Sequence, residues 1–78
     1  MDKKGSKKDI QLEKLCKEAL DLIGRGKNAS LGMLQRELGI GFLDALRTLV
    51  ILERKGLVSQ EGAEEREKLL KSLESDAN

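Results

Sequence analysis

Residues 29–62 read ASLGMLQRELGIGFLDALRTLVILERKGLVSQEG, and the two glycines at positions 39 and 41 decide how this stretch folds. Ser30 is a good N-cap for a short helix from about Leu31 to Leu38, with Leu31, Leu34 and Leu38 facing inward. Gly39-Ile40-Gly41 then forms a three-residue turn. A longer helix runs from about Phe42 to Lys55, with Phe42, Ala45, Leu46, Leu49 and Leu52 on one face, and Gly56 stops it. A short helix, a tight glycine-bearing turn and a longer helix make a helix-turn-helix.

Upstream, Leu12, Leu15, Cys16, Ala19, Leu22 and Ile23 recur at the spacing of one helical face, with Glu13, Lys14, Lys17, Glu18 and Asp21 opposite. This first helix begins near Asp9, which can cap it alone or with Ser6, and it ends at Gly24-Arg25-Gly26. The leading MDKKGSKK has no apolar periodicity, so residues 1–8 are expected to be a disordered basic arm. Downstream, Leu57-Val58-Ser59 is a brief strand candidate and Glu61-Gly62-Ala63 a turn. The segment 64–74, EEREKLLKSLE, has a helical composition, yet part of it must pair with Leu57–Ser59 if a wing hairpin forms. The fold class is therefore all-α or mainly α. We expect a winged helix-turn-helix over residues 9–74, a three-helix core with a minimal wing or a fourth C-terminal helix, and a disordered tail at 75–78.

Seventy-eight residues support one small core and leave no room for a deep substrate cavity beside it. The chain has no His and one cysteine, Cys16, so it offers no His-based catalysis, no internal disulfide and no cysteine-built zinc site. No enzyme activity, cofactor or small-molecule substrate is expected. Phe42 is the only aromatic residue, which leaves no platform for stacking single-stranded bases. No apolar run reaches the ~18 residues of a membrane span and no signal-peptide core is visible, so a cytoplasmic protein without membrane contact is expected. The net charge of +1 hides a gradient. Residues 1–36 hold nine Lys/Arg against five Asp/Glu, residues 37–60 three of each, and residues 61–78 three against six. A basic front suits a polyanionic partner.

Residues 29–62 resemble the gamma domain of the FtsK/SpoIIIE family of DNA translocases. The resemblance rests on Ala29, Ser30, Gln35, Arg36, Ile40, Gly41, Ala45, Arg47, Glu53, Gly56, Val58 and Ser59, aligned without a gap, with Phe42 where the family has tyrosine. It implies a small winged helix that binds oriented DNA sequences. Leu43-Asp44 replace the family's Asn-Arg pair and Val50 replaces a glutamate. The resemblance implies that these positions, with Arg47, face bases, so Arg47 alone is kept as a base reader.

The candidate interface follows. The expected function is binding of double-stranded DNA with the Phe42–Lys55 helix, helix 3, toward the major groove and Arg47 forking onto guanine or phosphate. Ser30, Gln35, Arg36, Lys27, Arg54 and Lys55 are expected to hold phosphates. Arg47 can equally pair with Asp44 or Glu53, and Ser30 can be no more than a cap. Leu43, Val50 and Ile51 lie on the flank of helix 3 away from its core face, which makes that helix apolar nearly all round. If open, this flank is a protein-interaction or homodimerisation surface, the alternative function. If Leu69, Leu70 and Leu73 fold back over it, it is core. Cys16 is read as a small inward-facing hydrophobe.

Overall fold

In the computed structural model, the backbone is described from Lys3 to Asp76 and the side chains from Gln11 to Ser75. Four helices follow in order: α1 (Lys3–Gly24), α2 (Leu31–Leu38), α3 (Phe42–Arg54) and α4 (Ala63–Asp76). Among the described residues there is no strand. Leu57–Ser59 is a turn and coil rather than a wing strand, and the fourth helix forms in place of the hairpin. The local chemistry explains the choice, since Ala63–Asp76 is rich in Glu, Leu and Lys, and carries Glu64 and Glu65 in its first turn where the helix dipole favours negative charge. The result is an all-α winged-helix-type domain in which, of the minimal wing and the fourth C-terminal helix, the helix forms.

The turn between α2 and α3 forms as its glycines require. Ser30 is extended (φ −135°, ψ 159°), and its hydroxyl accepts a hydrogen bond from the Met33 amide at 3.2 Å. Gly39 sits in the left-handed region at φ 63°, where a side chain is disfavoured, and its amide donates to the Gln35 carbonyl. Gly41 starts α3 without a side-chain cap. Gly56, at φ 70°, closes α3 in a Schellman motif: its amide bonds the Glu53 carbonyl and the Leu57 amide the Leu52 carbonyl, each at 3.0 Å.

Two apolar clusters hold the domain. The first joins Ala19 of α1, Met33 and Leu34 of α2, and Ala45, Leu49 and Leu52 of α3, and draws nothing from α4. Half-buried Cys16, Leu22, Ile23, Leu38, Ile40 and Val58 pack around it. The second consists of Leu46 and Val50 of α3 with Leu70 of α4, flanked by Leu31, Leu43 and Leu73. Thr48, fully buried, satisfies its hydroxyl by donating to the Asp44 carbonyl at 2.8 Å.

The sequence reading departs from the structure at further places. Phe42 is 41 % exposed, not core, because it is the first residue of α3 and lies beyond the layer where α1 and α2 cross it. Met33, absent from the expected α2 face, is buried. The backbone is helical from Lys3, where an arm was expected through residue 8 and a helix only from Asp9. Residues 1–2 of that arm and 77–78 of the expected tail lie outside the described residues, while the tail's 75–76 belong to α4.

Candidate nucleic-acid interface

α3 is the central helix. α1 and α2 pack on one side of it, and α4 packs on α3 alone among the helices. The antiparallel register of α3 and α4 is read from side-chain pairs. Glu53 meets Arg66, Arg54 meets Glu67, Val50 meets Leu70, and Arg47 meets Glu74. Falling numbers on α3 face rising numbers on α4, so one helix face is zipped along its length.

This register decides between the two readings of the apolar flank at Leu43, Val50 and Ile51. Val50 is 2 % exposed beneath Leu70, and Leu43 is half-buried within the same cluster as Leu73. Ile51 is half-buried and borders a shallow groove with Leu12 and Leu15 of α1. The apolar flank already has a partner in α4. Leu70 and Leu73 supply the cover, while Leu69 points away at 40 % exposure.

The expected DNA contacts occupy different environments. The Arg47 side chain is 26 % exposed; its Nε donates to Glu74 at 3.1 Å and its Nη1 lies 3.7 Å from Asp44. Glu53, proposed from spacing as a partner, instead binds Arg66. Arg54 donates to Glu67 at 2.7 Å. Lys27 reaches Glu37 at 3.4 Å, which ties the α1–α2 connection to α2. Ser30 is engaged as a cap and Gln35 is half-buried. Arg36 and Lys55 are exposed and form no ion pair with a described residue. Of the seven residues, Arg36 and Lys55 are thus the two whose charges stand open to a polyanion.

Sequence reasoning missed the acidic partners of α3. Arg47 and Arg54 are seven residues apart, two helical turns, and so are Glu67 and Glu74. Complementary charges at matched heptad spacing were the available signal that the two helices lie against each other. The Glu53–Arg66 pair is deeper. The Glu53 side chain is 3 % exposed, and both Nε (2.7 Å) and Nη2 of Arg66 donate to its Oε2. Glu53 Oε1 is buried without a partner, and Gln60 Nε2 donates to the Glu53 carbonyl at 2.7 Å. This knot fixes the α3–α4 loop and the first turn of α4.

Cys16 is half-buried on α1 near Lys55. Burial pushes its thiol above the ordinary 9.0; the Lys55 charge opposes that rise and Glu13 adds to it. No described group of His, Cys, Asp or Glu could hold a metal ion. No helix is long and apolar enough to cross a membrane, among the described residues. Against known proteins, the family model described as the FtsK gamma domain matches residues 11–71. No curated protein and no solved structure matches the chain.

Proposed function

From the premise that this chain belongs to the FtsK gamma domain family, a family of DNA-binding winged-helix domains, we propose that it binds double-stranded DNA through the α2–turn–α3 unit. α3 is directed to the major groove with Arg47 its base contact. Ser30, Gln35, Arg36, Lys27, Arg54 and Lys55 line the phosphate side. Family membership over residues 11–71 is the observation that carries this reading. The intact helix-turn-helix, with Gly39 in its left-handed turn, supports it. Arg36 and Lys55 favour an initial encounter with the phosphate backbone because neither is neutralised by a described carboxylate. α4 occupies the flank that the interface alternative required and also holds Arg47 and Arg54, so the DNA reading in turn requires α3 to be freed from that cover.

The test is a duplex titration across a salt series. Binding through phosphates gives log Kobs falling linearly with log salt, with a slope of about −0.9 per neutralised phosphate. Arg36→Ala and Lys55→Ala should each reduce that slope by about one. Salt-independent binding, or slopes untouched by both substitutions, would refute the phosphate assignment.

A further inference from the structure

We propose that α4 is a built-in competitor for the DNA-facing side of α3, so that the helix must lift before Arg47 and Arg54 can reach a duplex. The inference rests on the DNA-binding reading above and adds to it how that surface is controlled. Three observations on this chain carry it.

α4 covers the side of α3 that α1 and α2 leave uncovered, and it does so with carboxylates placed on guanidinium groups. Glu74 takes Arg47 and Glu67 takes Arg54, the same charge-assisted contact that a phosphate oxygen makes with arginine. Their spacing of two turns on each helix lets one rigid rod satisfy both arginines at once. The acidic excess of residues 61–78 makes the segment a polyanion in its own right.

α4 is also separable from the fold. The main cluster is built wholly from α1, α2 and α3, so the helix-turn-helix keeps its support when α4 leaves. The buried Glu53–Arg66 pair holds the first turn of α4, and beyond that turn the helix is seated by one well-buried leucine, Leu70, with half-buried Leu73, and by partly exposed ion pairs. Elements held by few buried apolar contacts open locally below the cost of global unfolding. The loop of residues 55–62 keeps the released helix near its seat, so closed and open forms compete within one molecule. The apparent dissociation constant is then the intrinsic one divided by the open fraction.

The experiment uses the full chain and a short fluorescent duplex at low salt. E67Q/E74Q removes the two carboxylates that hold Arg47 and Arg54. E64Q/E65Q removes two others from the same helix, with the same change in net charge, whose glutamates make no ion pair with a described residue. All four sites are at least partly exposed, so both variants should keep the wild-type helical circular dichroism. Loss of two partly exposed pairs raises the open fraction, and we expect E67Q/E74Q to bind about fivefold more tightly than E64Q/E65Q. Adding Arg47→Ala to E67Q/E74Q should cancel most of that gain, and alone it should change wild-type affinity far less. Binding by E67Q/E74Q no tighter than that of the wild type, or a gain that Arg47→Ala leaves intact, overturns the competitor role and leaves the DNA reading standing. Absence of duplex binding by every variant overturns the DNA reading and the competitor with it.

Discussion

Arg66→Ala is the substitution whose cost follows most directly from the structure. Arg66 is the sole side chain bonded to the carboxylate of Glu53, which is 3 % exposed and has a second oxygen already lacking a partner. Deleting the arginine strands a buried charge. Breaking a buried pair from one side costs about 3–5 kcal/mol. The lower end applies, about 3 kcal/mol, because the Arg66 side chain is 27 % exposed and water can enter behind it. A domain of this length is expected to have roughly 4–12 kcal/mol of stability, so the loss is a large share. In thermal terms each kcal/mol moves the midpoint by about 4–8 °C in a domain of this size, which sets the shift near 12 °C or more. The assay is urea unfolding followed by far-ultraviolet circular dichroism, with the change read from the midpoint at constant slope. The companion variant Glu53→Leu/Arg66→Met removes both charges and the unpaired oxygen, and is expected to fall within about 1 kcal/mol of wild type or above it. A cost below about 1 kcal/mol for Arg66→Ala would mean that Glu53 is hydrated. The seat described for the first turn of α4 would then be wrong.

Leu70→Ala should cost about 2 kcal/mol by urea unfolding, at the low end for a buried leucine because its site lies near the surface and can collapse; no cost would show α4 undocked. Ser30→Ala should cost about 1 kcal/mol and Ser30→Gly only a few tenths, since the hydroxyl caps the Met33 amide. Equal costs for both would remove the cap from the account. Cys16 should react slowly with a thiol-modifying reagent near neutral pH compared with the urea-unfolded chain, because burial raises its thiol above 9.0. The sign for stability follows. The folded state holds the proton more tightly, so this contribution is complete below the unfolded thiol's pKa and is lost as pH rises past 9.0 through the folded value. A wild-type stability that does not fall relative to that of Cys16→Ala over the same alkaline range would contradict it.

Much of the fold was legible because its signals are local. Ser30, Gly39, Gly41 and Gly56 punctuate the chain by backbone conformation alone, and they bound α2 and α3 within a residue or so of their observed ends. α4 was harder to read, since Leu57–Ser59 has strand chemistry and whether it pairs depends on what covers it. The helix won because Leu70 finds Leu46 and Val50. Phe42 illustrates a different limit, since helical periodicity assigns a face but not the end of the helix where that face runs out of neighbours. At the site, Arg47 was singled out by the family resemblance together with its outward place on the helix, whereas its bond to Glu74, 27 residues away, is a tertiary fact. The apolar replacements at Leu43 and Val50 make physical sense once α4 is seen against them, because a covered face is stabilised by carbon and not by polar side chains.

Amide hydrogen exchange on the full-length chain, with and without saturating duplex, asks the decisive question of α3 and its cover. The account predicts that DNA slows exchange in α2 and α3 while the amides of residues 63–76 exchange faster, because the duplex takes the place of α4. Unchanged or increased protection of α4 in the bound state would contradict it.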